Sequence, residues 1–167
     1  MPDYPGYFVR DDGSVRTPFG NITYGSRTTG NYRRINTPGF TPSYFRLHRK
    51  IAQVFVPNPR PDLFTVVDHI NRDRADNRAC NLRWLDQQLN TLNVKGDCVS
   101  FQKRNRTKQW RVQVKGMRTE LFATREEAVE HSVHLKKLRF DRAYQEKLNA
   151  PPKTRSVGVQ TEPVEFK

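Results

Sequence analysis

Cysteine is scarce in this chain. Cys80 and Cys98 are the only two, too few and too far apart for a disulfide framework or for paired CxxC zinc ligands, so a reducing compartment is expected. Long hydrophobic runs are missing as well. Nothing approaches the ~18 to 20 consecutive apolar residues of a membrane-crossing helix, so no membrane partner is expected. The first residues show no basic stretch followed by an apolar core, so no secretion signal is expected. The expected location is intracellular: the cytoplasm of a prokaryotic or virus-infected cell, or a nucleus. With 35% of 167 residues hydrophobic, the chain has apolar material for one or two small domains. No internal repeat is found.

Acidic side chains are absent in a patterned way. From Gly13 to Pro61 there are eight Arg or Lys and no Asp or Glu; from Cys98 to Arg118 there are seven and again none, within a net charge of +13. A solvated face ordinarily mixes signs, so two acid-free cationic blocks imply a polyanionic partner and phosphate contact. RNA is the less favoured polyanion, because no exposed aromatic stacking pattern is identifiable.

Between the blocks lies VVDHINRDRADNRACNLRWLDQQLNTLN, from Val66 to Asn93. Thr65 to Asp68 reads as a strand, the following Asn, Asp and Arg residues as a loop, and Asn81 to Trp84 as a short returning strand. Asp86 is a good N-cap for a helix to about Asn93, on which Asn90 and Asn93 share a face. A strand ending in Asp-His, a return strand and an Asn-bearing helix make a compact site.

This layout resembles the ββα-metal (HNH) nucleases, in particular the intron-encoded phage homing endonucleases whose motif ends in Asn. The family loop has the form His-Ile-Asp-Gly-Asn-x-x-Asn-Asn-Arg-x-x-Asn-Leu-x-Trp. Here His69-Ile70, Asn77-Arg78, Asn81-Leu82 and Trp84 fall at the same spacing. Departures are Asn71-Arg72 for Asp-Gly, Asp76 for Asn, and Cys80 where an acid is common. The resemblance implies a phosphodiester hydrolase. His69 would be the general base, since imidazole is the side chain that changes charge near neutral pH. Asp68 and Asn90 would hold Mg²⁺ or Mn²⁺, and Asn81 would brace the loop behind the base. No small-molecule cofactor beyond the metal is expected.

Around this motif, Tyr7 to Arg16 reads as two strands about a two-residue Asp12-Gly13 turn, and Tyr32 to Asn36 with Ser43 to Leu47 repeats the pattern about Pro38-Gly39. Together they predict one antiparallel meander with Tyr7, Phe8, Tyr32 and Phe45 in its core. Leu47, Ile51, Ala52 and Phe55 mark one face of a helix that must stop before Pro57. LHRKIAQVFVPNP resembles the helix preceding the motif in the same family, and His48 on it reads as a packing or phosphate-contacting residue.

After a boundary at Lys95-Gly96-Asp97, Val99 to Phe122 reads as three strands. Trp110, Val112 and Val114 share one face, and Arg111, Gln113 and Lys115 share the other. A helix opened by a Thr124/Glu127 capping box covers the apolar face with Ala128, Ser132, Leu135 and Leu138. His131 and His134 on it have no acid or Cys partner at ligand spacing and read as surface or packing residues. Trp110-Arg111-Val112-Gln113-Val114, the Gly116 turn, Phe122 and Thr124 to Val129 resemble the ethylene-response-factor (apetala-two) DNA-binding domain, which implies a sheet laid in the major groove.

The expected architecture is therefore α+β: an N-terminal meander and helix leading into a ββα-metal motif over residues 1–95 (core 65–93), a three-stranded antiparallel sheet on one helix over 96–148, and a disordered tail from 149. Double-stranded DNA is the expected partner, met by Arg33, Arg34 and Arg49 before the motif and by Arg104, Arg106, Lys108, Arg111, Gln113, Lys115 and Arg118 after it. A monomer with one site should nick; a dimer would be needed for a concerted double-strand break. The alternative is a non-catalytic DNA-binding regulator on the same scaffold.

Overall fold

The computed structural model describes residues 3–93, 98–103 and 109–152. The boundary expected at 95–97 and the tail beyond 152 lie outside them. Within them the chain is α+β, with small antiparallel sheets and few helices.

The N-terminal strands form two three-stranded sheets where one meander was expected. The first joins β1 (Phe8–Val9), β2 (Val15–Arg16) and β3 (Ile22–Thr23); the second joins β4 (Ser26–Arg27), β5 (Arg33–Asn36) and β6 (Tyr44–Arg46). Two-residue strands β3 and β4 carry too little alternation to be read from sequence. The first hairpin closes with three residues between Arg10 and Ser14, whose backbones pair at 2.9 Å. Gly13 takes the left-handed position at φ 87°, and Asp12 accepts from the Ser14 amide and hydroxyl at 2.9 and 2.6 Å. That side-chain turn adds the extra residue to the two-residue loop expected. Register sends Val9 and Val15 inward and Phe8 outward, so Phe8 is exposed with Arg16 over its ring, contrary to expectation.

Helix α1 (Leu47–Phe55) buries Leu47, Ile51 and Ala52 and stops ahead of Pro57. The chain then enters β7 (Val66–His69), a 3₁₀ turn (Ala79–Asn81), β8 (Leu82–Leu85) and α2 (Gln87–Leu92). Trp84, buried on β8, donates its indole N–H to the Val56 carbonyl at the end of α1, at 2.9 Å. One continuous core joins Tyr7, Ile35, Phe45, Leu47, Ile51, Phe64, Leu82 and Leu89. Burying each large apolar side chain contributes roughly 1.5–3 kcal/mol.

The C-terminal strands β9 (Val99–Phe101), β10 (Trp110–Val112) and β11 (Glu120–Phe122) form a sheet with β10 in the middle. Val112 and Val114 are buried against Ala128 of α3 (Arg125–Asn149), which opens with the Thr124/Glu127 capping box. Leu138 is exposed, which corrects the sequence reading; His131 packs on Phe122 and lies 3.2 Å from Glu120. At 25 residues, ~37 Å long by helix rise, α3 outruns the small sheet. Its second half packs Phe140, Ala143, Tyr144 and Leu148 onto the first core, so one helix serves both parts of the fold. Among the described residues no helix is long and apolar enough to cross a membrane.

Candidate active site

β7 and β8 place two motif residues by register. Asp68 pairs with Arg83 and His69 with Leu82 across the antiparallel ladder. Directly opposed side chains interact, and the Arg83 guanidinium meets the Asp68 carboxylate at 2.8 Å. Asp68 and His69 are both buried. Asn93, the C-cap of α2, donates its amide to both Asp68 oxygens, at 3.1 and 2.9 Å, and to the His69 carbonyl at 2.9 Å.

Asn77 fixes the imidazole. Its Oδ1 lies 3.1 Å from His69 Nε2, while its Nδ2 donates to the Ala75 carbonyl at 3.2 Å, which settles which way the amide faces. An amide oxygen only accepts, so Nε2 carries the hydrogen and Nδ1 is left as the basic atom. The first hairpin backs this arrangement. Asp11 accepts from the Ala79 amide at 2.8 Å, and a Cβ on Gly13 would stand 3.1 Å from the Asn77 and Arg78 backbone.

Asn81 closes the loop at its base. It donates to Asn71 Oδ1 at 3.0 Å and to the Asp76 carbonyl at 2.8 Å, and accepts from the Asn71 amide at 3.0 Å. Arg72, where the resembled family has Gly, stands at φ 65°, a left-handed conformation that costs a non-glycine residue of order 1 kcal/mol or more. Its Nε donates to Asn93 Oδ1 at 2.9 Å, which orients the amide that grips Asp68.

Asp68, His69 and Asn90 line one cavity of ≈ 530 Å³, together with Asn93, Arg72 and Tyr32. Arg33, Arg34 and Arg49 line an adjoining cavity of ≈ 480 Å³, which shares Tyr32, Val67 and Asn90 with the first. Asn81 lines neither. Arg111, Gln113, Lys115 and Arg118 belong to the C-terminal sheet and its turns, with Arg111 hydrogen-bonded to Gln113. Arg104, Arg106 and Lys108 lie outside the described residues.

The sequence reading brought neither Tyr32 nor His48, the latter read as a packing or phosphate-contacting residue, next to His69. Tyr32 was expected in a core; its ring lies 5.0 Å from His48 and 6.0 Å from His69, and the two imidazoles are 5.3 Å apart. Nothing in the local pattern of either residue signals this. Asn77 and Asn93 did carry a signal: the first stands in the loop pattern, the second one turn beyond Asn90 on the same helix face.

As a donor set the cavity suits a hard divalent cation. Among the described residues no group of three or more His, Cys, Asp or Glu could hold a metal by itself. One carboxylate and one amide oxygen fit Mg²⁺, which keeps several waters and takes a substrate phosphate.

A strand, loop, strand and helix bring an Asp-His pair and an Asn to one cavity, the layout that the ββα-metal resemblance implies. Residues 45–92, a minority of the chain, match the family model described as HNH endonuclease. A protein of Acanthamoeba polyphaga mimivirus described as an uncharacterized HNH endonuclease is 40% identical over 60 residues, 35% of this chain and 15% of that one. A second such protein of the same virus is 27% identical over 88 residues, 52% of this chain and 26% of that one. The chain thus spans only a minor part of these relatives. Among solved structures, the HNH homing endonuclease I-HmuI is similar at 28% identity and a TM-score of 0.47, over 56% of this chain and 53% of that one.

Proposed function

We propose that the chain is a metal-dependent, site-specific DNA endonuclease of the homing type that cuts one strand per encounter. The observation that carries this is the convergence of Asp68, His69 and Asn90 on one cavity within the segment matching the HNH family, with an arginine-lined cavity beside it.

His69 Nδ1 takes a proton from water, which attacks phosphorus as the bond to the 3′ oxygen breaks; the 3′ alkoxide takes a proton from a second water, leaving 5′-phosphate and 3′-hydroxyl ends. Asn77 holds the tautomer this requires. Asp68 and Asn90 would hold Mg²⁺ or Mn²⁺, whose charge offsets that developing on the leaving oxygen. Asn81 supports the base from behind by tying Asn71 to Asp76. Arg33, Arg34 and Arg49 would seat the backbone of the strand to be cut. Beyond the motif, Arg111, Gln113, Lys115 and Arg118, with Arg104, Arg106 and Lys108, would read the duplex in the major groove, as the apetala-two resemblance implies.

The test is cleavage of supercoiled plasmid and fragmented host DNA with Mg²⁺ or Mn²⁺, beside an EDTA control and His69→Ala. The expected result is nicking that disappears with EDTA and in the variant, while DNA affinity persists. Tight binding without cutting on DNA containing the host target would establish a DNA-binding regulator instead.

A further inference from the structure

We propose that Arg83 and Phe140 are positioning residues that decide which oxygen of Asp68 a divalent cation meets; the proposal rests on the metal-site reading above. Arg83 directs both Nε and Nη2 to Asp68 Oδ2, at 2.9 and 2.8 Å, and Asn93 adds a third donor to that oxygen at 2.9 Å. A carboxylate oxygen has about two lone-pair sites, so Oδ2 is saturated. Among the described residues Oδ1 carries only the 3.1 Å contact from Asn93 and keeps acceptor capacity for a cation.

An arginine this long does not hold such a geometry unaided. Phe140 of α3 supplies the constraint: the guanidinium carbon lies 3.9 Å from its ring centroid, and the ring is 9% exposed. The aromatic face attracts the cation and occupies one side of the guanidinium plane, so the N–H groups are left to bond edgewise with the acid. Phe140 is itself fixed. Tyr144 stacks on it at 6.1 Å and on Phe64 at 5.5 Å. At the end of α3, Arg60 donates to the carbonyls of Lys147, Leu148 and Ala150 at 2.9, 3.2 and 2.7 Å.

The same helix reaches the other ligand. Lys147 pairs at 2.8 Å with Asp86, the N-cap of α2, the helix that carries Asn90. Both candidate metal ligands are therefore held from α3, whose first half carries the C-terminal sheet.

Mn²⁺ binding to the full chain without DNA, followed by loss of the free-ion paramagnetic resonance signal, tests this in the wild type, Phe140→Leu, Phe140→Tyr, Arg83→Lys and the Phe140→Leu/Arg83→Lys double variant. The Leu and Lys variants should each bind on the order of tenfold more weakly, as happens when a partner orienting a metal ligand is lost. Phe140→Tyr keeps the ring and should bind like the wild type. The double variant should bind no more weakly than the worse single one, because both act through one chain of contacts. Wild-type affinity in Phe140→Leu, an equal loss in Phe140→Tyr, or additive losses would each overturn the proposal. Arg83→Lys alters a partly exposed side chain and keeps its charge, so it reports even if the core substitution impairs folding. A wild type that takes up no Mn²⁺ would defeat the metal-site reading itself, and the proposal with it.

Discussion

His48 shows what a single residue gains from tertiary placement. Among the described residues its Nδ1 is buried without a hydrogen-bond partner, and its ring packs against both Tyr32 and His69, at 5.0 and 5.3 Å. Burial, and then the charges of His69, Arg46 and Arg49, lower its pKa from 6.5 to about 4. Between those values the unfolded chain binds a proton that the folded chain refuses. Stability from this group is therefore complete above about pH 6.5 and falls as pH drops toward 4, by on the order of 3 kcal/mol. Urea unfolding of the wild type and His48→Gln at pH 7 and pH 4.5 checks this. The wild type should lose more stability than the variant across the interval, and parallel losses would contradict the assignment. The motif spacing singled out Asp68, His69, Asn81 and Asn90. That His48 presses on His69 was not legible, because the helix spacing marks a buried face without naming what covers it.

At the scale of elements, caps were legible and register was not. Asp86 accepts from the Leu89 amide at 2.8 Å, as an N-cap should. Burial pushes its carboxyl up, but the hydrogen bond from Leu89 and the ammonium of Lys147 outweigh this and hold its pKa below the ordinary value. Asp86→Ala should cost ~1 kcal/mol for the cap alone, with a further loss from the stranded Lys147. Asp86→Asn keeps a capping oxygen and should lose less; equal losses in thermal unfolding would show that the cap contributes nothing separable. The Asp68–Arg83 pair, by contrast, depends on strand register. Nothing in the local sequence around either residue pairs the two.

For the whole molecule, affinity for duplex DNA should decline with a log–log salt slope of about −0.9 per phosphate neutralised. Arg49 lines the basic cavity beside Asn90. Arg49→Ala should make the slope shallower by about 1 and weaken binding evenly across DNA sequences, measured by fluorescence anisotropy from low to moderate salt. A slope unchanged in the variant would remove Arg49 from the phosphate path.

The sequence alone determined the α+β class, the order of strand, loop, strand and helix around Asp68 and His69, the α3 capping box, and the cationic blocks. Each follows from short-range rules: alternation, helical period, capping and the placing of charge. The tertiary structure alone decided that the N-terminal strands divide into two sheets, that Tyr32 and His48 pack beside the candidate base with tilted rings, and that α3 returns to hold Arg83 against Asp68. Those outcomes depend on which surfaces meet across long separations in the chain. Packing settles such choices, and local pattern does not encode them.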